Sequence, residues 1–456
     1  MKIRFIPLLF LPLFANAQSN NDSLFIKKLS DEIMTNGKAY DLLYELTKKI
    51  GGRLAGSPQQ QQAVIWGKKN LEALGADKVF LQPCKTPNWK RGGTDYVSIV
   101  NVNGEAKLQS LAALALGNSL SSNGIIEAEV LVLANFEELE KRKDEVKGKI
   151  VYFHSVFDPT KIQTFKAYGE SGAYRRSGAS RAAKYGALAV LMHSLSTAPD
   201  NAPHTGSMTY DEAYAKIPAV ALGPNDAQSL FTLAKKGKVK VQVQTYGYFL
   251  PDADEYNVVA ELRGSEFPDE YITLGGHLDS WDVNEGAHDD GAGIVQTMEV
   301  LRVLKAVNYK PKRSIRFVLF ANEENGVRGG NEYANQAKLN KENHIFVLES
   351  DEGGFTPRSL GISAPPEQFA KFQTLTPLFK PYDSEITLGG GGTDIRPMLG
   401  VNKSTILAGL IPDSQRYFDL HHAKTDVFEN VNKRELHLGA VNMAAIIYLI
   451  DKYGVK

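Results

Sequence analysis

Residues 271–293, YITLGGHLDSWDVNEGAHDDGAG, constrain the fold of this chain more than any other stretch. The apolar start, 271–274, reads as a buried strand that stops at Gly275 and Gly276, where glycine lets the backbone bend tightly. His277 and Asp279 follow at once, then a polar loop with Asp289 and Asp290, and a helix is expected to open at Gly291. A strand that ends in imidazole and carboxylate and feeds a helix is a building unit of open α/β sheets. Ligands in such sheets bind outside the carboxyl ends of the strands. Donors of this kind suit a divalent metal.

The same rhythm recurs downstream. Residues 314–321, SIRFVLFA, form an almost continuous apolar run, as a strand buried on both faces requires, and deliver Glu323 and Glu324. A strand over 345–348 leads to Asp351, another is expected over 404–407, and His421 and His422 stand in a polar loop before an amphipathic helix at 435–453. Helices are expected over 292–307 and 325–340. Alternating strands and helices make the fold class α/β, a mixed central sheet between helices. Upstream, 23–49 reads as an amphipathic helix interrupted at Asn36-Gly37 and 59–74 as a second helix; 79–82 and 96–102 read as strands of the same layer.

Between about 118 and 248 short strands dominate, at 125–133, 149–153, 188–192, 219–222 and 239–243, with one helix across 179–186. No carboxylate or histidine of this region has ligand spacing. It reads as an inserted β-rich domain.

The bulk properties exclude several partners. Lys+Arg and Asp+Glu are both 52, so no net field favours nucleic acid or an acidic membrane. Lys2 and Arg4 precede an apolar run at 5–14 and the small-x-small pattern Ala15-Asn16-Ala17, which makes 1–17 a secretory signal peptide. That run is too short to span a bilayer, no other segment is long and apolar enough, and a secreted, periplasmic destination is expected. Cys84 is the only cysteine, so no intrachain disulfide can form.

The candidate chemistry lies in His277, Asp279, Asp289, Glu323, Glu324, Asp351 and the pair His421-His422. Ends of parallel strands share one edge, so these groups can converge although they are distant in sequence. Zinc takes imidazole and carboxylate at about 2.0–2.2 Å, and two ions about 3.5–4 Å apart can share a bridging carboxylate. Adjacent glutamates at the edge of a hydrophobic sheet are unfavourable unless a cation compensates one and the other gains a proton during turnover. No HExxH occurs, which excludes a single-zinc helix of the thermolysin type.

The motifs GGHLDS, GAHDDGAG, ANEENG, LESDEGG and HHAKTD occur in that order. With them the chain resembles the co-catalytic di-zinc aminopeptidase family, in the branch that carries HLDSWDV and a protease-associated insertion. The resemblance covers nearly the whole chain after the leader. It implies a zinc-exopeptidase fold over 18–117 and 249–456, with the insertion at 118–248. Gly148-Lys149-Ile150-Val151, Ala182-Ala183 with Tyr185-Gly186-Ala187, and Ile217-Pro218-Ala219-Val220 resemble the protease-associated pattern.

It further implies two Zn2+ per chain, one on His277 and Asp351, the other on Glu324 and His422, with Asp289 bridging. Asp279 would hydrogen-bond the His277 imidazole and fix its tautomer. Glu323 would be the general base, passing a proton from the attacking water to the leaving amine. The family motif selects His422, four residues before Asp426, over His421, and Asp289 over Asp290. Thr393 and Asp394, after the glycines at 389–392, are implied to line the substrate pocket, although Thr393-Asp394-Ile395 departs from the commoner Ser-Asp-His.

The implied activity is hydrolysis of short peptides or dipeptides from the free N-terminus. The implied partners are a peptide substrate and, at most, a second copy of the chain in a homodimer. Glutaminyl cyclisation on the same scaffold and a non-catalytic binding module are the alternatives. The complete ligand set speaks against the binding module. The insertion and the Trp281-containing motif speak against the cyclase.

Overall fold

The computed structural model describes residues 13–455, so residues 1–12 of the expected leader lie outside the described residues. Among the described residues, sixteen strands fall into two eight-stranded sheets. β1 (Lys78–Lys90) belongs to the first sheet. The next eight strands, β2 (Tyr96–Val102), β3 (Glu105–Leu111), β4 (Ala113–Ala115), β5 (Ile126–Leu133), β6 (Ile150–Phe153), β7 (Ala189–His193), β8 (Ala219–Leu222) and β9 (Val239–Gln244), make up the second. The chain then returns to the first sheet with β10 (Tyr248–Leu262), β11 (Phe267–His277), β12 (Arg313–Phe320), β13 (Asn343–Glu349), β14 (Pro357–Ser363), β15 (Glu385–Leu388) and β16 (Ile406–Pro412).

In the first sheet the order is β1-β10-β12-β11-β13-β16-β14-β15. β12, β11, β13 and β16 run parallel in its middle, flanked by antiparallel β10 and β14. The period of two along β12 shows how the layers form. Ile315, Phe317 and Leu319 join the core shared with the helices Leu13–Asn36, Pro58–Ala73, Ala292–Ala306 and Lys433–Tyr453, whereas Val318 and Phe320 pack on the opposite face against the helix Arg328–Leu339. Each such fully buried side chain contributes about 1.5–3 kcal/mol. The expected sheet between helices is thus present.

The second sheet has the order β3-β2-β9-β5-β6-β7-β8-β4, with β5 to β8 parallel. The helix Thr164–Ala183 covers one face and Pro224–Lys236 the other. Two expectations need correction. The strand at 96–102 does not extend the first layer, and the boundary at 118 falls too late, because β2 pairs with β9 and β3 rather than with β1 or β10. The helix Pro224–Lys236 was not anticipated. The break at Asn36-Gly37 is present: the first helix ends at Asn36, and the Lys38 amide caps onto Glu299 at 2.8 Å before the next helix, Ala39–Tyr44. No helix among the described residues is long and apolar enough to cross a membrane.

Candidate metal centre

The four parallel strands carry the candidate ligands to one edge. His277 is the last residue of β11, Glu323 and Glu324 follow β12, Asp351 follows β13, and His421 and His422 stand in the loop after β16. His277 Nε2 lies 3.1 Å from Asp289 Oδ1 and 3.2 Å from Asp351 Oδ1. On the other side His422 Nε2 lies 3.1 Å from Asp289 Oδ2 and 3.1 Å from Glu324 Oε2. Asp289 therefore presents one oxygen to each imidazole.

The donor set passes a direct test for metal. Zinc bonds of about 2.0–2.1 Å in a tetrahedron place ligand atoms about 3.3 Å apart, close to these separations. Glu324 Oε1 is buried without a hydrogen-bond donor, and Asp289 Oδ2 has only the His422 imidazole beside it, an arrangement that is costly unless a cation meets them. Charge points the same way. Burial, then the charge of Asp289, pushes Glu324 up to about 8, and burial pushes Asp351 up to about 6. Burial and Asp351 hold Asp290 well above the carboxylate range. For Asp289 burial works upward, but hydrogen bonds from His277 and His422 hold it well below that range. The edge holds more carboxylate than it can ionise without added positive charge.

The neighbours of each alternative separate the pairs left adjacent in sequence. Distance alone also groups Asp290 with His277 and Asp351, and His421 with His422 and Asp289. Asp290, however, accepts the His277 amide at 3.0 Å and the Gly293 amide at 2.9 Å, so its oxygens brace backbone. His421 stacks on His422 with centroids 3.5 Å apart, and its Nε2 stays 3.6 Å from Asp289. His288 stacks on Phe355, and its ring nitrogens meet the Gly354 amide and the Asn430 carbonyl.

The tautomer of His277 is fixed differently from expectation. Nδ1–H donates to the backbone carbonyl of Asp279 at 3.0 Å, while the Asp279 carboxylate stays 3.7 Å away. That carboxylate instead accepts the amides of Glu323 at 3.0 Å and Glu324 at 3.3 Å, and so holds the glutamate pair in place. Asp394 also departs from expectation. It is fully buried against Gly330 with both carboxylate oxygens unpartnered, and is held well above the carboxylate range by burial and Glu349. Thr393 does line the cavity, but Asp394 lies beneath it.

Several contributors carry no ligand pattern in the sequence. Asp426 accepts the amides of His288 at 2.7 Å and Asp289 at 3.1 Å, orienting the shared carboxylate; it stood in HHAKTD as a spacing marker alone. Arg53, fully buried in the turn cluster that opens with Gly51, donates to the carbonyls of Leu278, Glu285 and Gly286 and clamps the loop between His277 and Asp289. The second sheet contributes too. The Thr205 amide donates to the His422 carbonyl at 3.0 Å, the Thr205 carbonyl lies 3.3 Å from His422 Nδ1, and His204 Nδ1 donates to the His421 carbonyl at 2.7 Å. These contacts hold His422 at φ 62, a left-handed conformation that a side chain of this size seldom adopts. A cavity of about 550 Å³ opens over the cage, walled by Asp289, Glu323, Glu324 and His422 on one side and by Tyr168 and Arg175 of the second unit on the other.

Comparison with known proteins gives the family of the chain. Residues 257–447 match Peptidase family M28. Human carboxypeptidase Q is 34% identical over 417 residues, covering 91% of this chain and 85% of that protein. The crystal structure of a Peptidase M28 precursor from Shewanella amazonensis SB2B superposes with a TM-score of 0.89 at 28% identity, covering 95% of this chain and 97% of that one. A zinc aminopeptidase from Bacillus subtilis shares the fold, with a TM-score of 0.64 at 18% identity over 92% of this chain and 96% of that one. With its ligand candidates inside the matched region and its likeness to carboxypeptidase Q running through both sheets, the chain belongs to peptidase family M28.

Proposed function

We propose that this M28 metallopeptidase holds two zinc ions per chain and removes the N-terminal residue from short peptides or dipeptides. The observation that carries the reading is Asp289, whose two oxygens each face an imidazole Nε2 at 3.1 Å, with a further carboxylate beside each imidazole. His277 and Asp351 would hold one ion, Glu324 and His422 the other, and Asp289 would bridge. Zinc suits this mixture of imidazole and carboxylate. When bound, the ions supply Lewis acidity to the scissile carbonyl and to the attacking water.

The chain's own groups do the rest. Glu323, half-exposed on the cavity wall beside Glu324, takes the proton of the attacking water and returns it to the departing amine. Asp279 fixes where Glu323 stands through the amide it accepts, and the carbonyl of Asp279 keeps the proton of His277 on Nδ1. Asp426 and Arg53 keep the Asp289 loop from relaxing when charge moves. The cavity, about 550 Å³, suits a ligand of a few residues.

The leader at 1–17 and the lone Cys84 favour a secreted, periplasmic protein, and a homodimer remains part of the proposal. Cell fractionation and sedimentation check those two points. The activity is tested with dipeptides, N-blocked peptides and aminoacyl amides, each with and without chelator. Free-amine substrates should be cleaved and chelator should stop cleavage. Equal rates on N-blocked substrates, or rates indifferent to chelator, would reject the reading.

A further inference from the structure

A second cavity, of about 590 Å³, adjoins the one over the cage and shares Phe165, Asp351 and Thr393 with it. Gly390, Gly391 and Gly392 form part of its wall, the first two at φ 147 and 122, values that favour glycine. A wall without side chains leaves room for a long occupant. Leu399, Leu407 and Leu410 add apolar surface.

Four charged groups line this cavity, and three of them are already engaged. Asp351 faces His277 and is a candidate ligand. Glu349 is buried, accepts the Ile395 amide at 3.0 Å, and lies so close against Gly392 that a Cβ there would collide with its carboxylate. Arg396 is exposed, so water already serves it and an arriving anion would add little. Glu352 is different. It is half-buried, and among the described residues neither a hydrogen-bond donor nor a cation stands beside its carboxylate. A carboxylate partly withdrawn from water without a partner is unfavourable, and a cation that reaches it offsets the loss.

The place of the cavity says what brings that cation. The N-terminal residue of a substrate carries its side chain on the atom next to the scissile carbonyl, so this side chain departs beside the cage. The cavity of Glu352 begins there, at Asp351. The other cavity that adjoins the cage joins it through Asn118, Thr209, Asn325 and Gly326, and no candidate ligand lines it. Leucine walls and a lone carboxylate match a side chain with an apolar stem and a cationic head.

We infer that this cavity receives the side chain of the N-terminal residue and that Glu352 makes it prefer lysine or arginine there. The inference rests on the exopeptidase reading above.

The test compares Lys-Ala, norleucyl-Ala and Glu-Ala as substrates of the zinc-loaded protein and of Glu352→Gln and Glu352→Asp. Norleucine keeps the lysine stem and lacks the ammonium group. In the unaltered protein Lys-Ala should exceed norleucyl-Ala in kcat/KM by about ten- to a hundredfold, the range of one hydrogen bond to a charged group. Glu352→Gln should erase that ratio through a higher KM on Lys-Ala, with zinc content retained. Glu352→Asp should restore part of it, since the charge returns on a shorter stem. Equal kcat/KM for Lys-Ala and norleucyl-Ala in the unaltered protein would overturn the assignment with no variant needed. So would a Glu352→Gln loss of the same factor on all three substrates, which would reduce the residue to a support of Asp351. Glu-Ala as the fastest substrate would overturn it too, and give the cavity to Arg396. If none of the three is cleaved in a chelator-sensitive way, the exopeptidase reading itself has failed.

Discussion

Both sheets set histidines at the carboxyl ends of parallel strands, and only one of them gathers carboxylates around them. In the first sheet His277 ends β11 and meets Asp289 and Asp351; His422, in the loop after β16, meets Asp289 and Glu324. In the second sheet His193 ends β7 and His154 follows β6, but their partners are neutral. His193 Nδ1 donates to the Ser194 carbonyl at 2.7 Å, and His154 bonds the Tyr152 hydroxyl at 2.8 Å and stacks on Phe231. The consequence is electrostatic. Burial lowers His193 and brings His154 down to about 4, whereas His277 and His422, pulled down by burial too, are raised well above the usual range by the carboxylates around them. Position at a strand end is shared; convergence of acidic groups is what distinguishes a ligand from a packed ring.

The contrast can be attacked from its strongest point downward. Glu323→Gln should lower turnover about a thousandfold or more while elemental analysis still finds the wild-type metal content; near-normal turnover would remove the residue from the chemistry. Asp289→Asn should strip both ions together, and loss of one ion alone would show that Asp289 does not bridge. Gly206→Ala, a change in the second unit, should cost about ten- to a hundredfold in zinc affinity by displacing the support of His422; unaltered affinity would confine the site to the first sheet.

Acidity gives a smaller and graded effect. Glu324, pushed up to about 8, and Asp351, up to about 6, hold protons below those values in the metal-free protein, and zinc must displace them. Zinc affinity should therefore fall as pH drops from 8 toward 6, by about tenfold per unit for each proton displaced, with proton release visible in calorimetry. A flat profile would contradict the ligand role of Glu324. His154→Gln should leave zinc content unchanged and lower stability by about 1 kcal/mol, read by denaturant unfolding; lost metal would show that the second sheet's imidazoles take part.

Much of the centre is legible in the sequence because its ligands follow strands whose apolar runs announce themselves, SIRFVLFA above all. What escapes notice depends on distant partners. The strand at 96–102 looks the same whichever sheet receives it, and only pairing with β9, far along the chain, assigns it. β3 has no alternation to read, with nearly all of its residues outside the core. The Asp279 carbonyl takes the place expected of its carboxylate because the side chain is drawn to two amides after β12, a choice made by tertiary geometry. Arg53 carries no ligand spacing, and its weight comes from burial, which charge patterning alone cannot disclose.

The grip of Thr205 on His422 carries a consequence for anyone who would shorten this protein. A chain relieved of residues 96–244 keeps every candidate ligand, yet takes from the second histidine both of its contacts with Thr205 and leaves the reaction chamber open on one flank. With a single thiol in the sequence, no disulfide pins the two halves of that chamber in register, so beyond the chain crossings its shape depends on how well they fit.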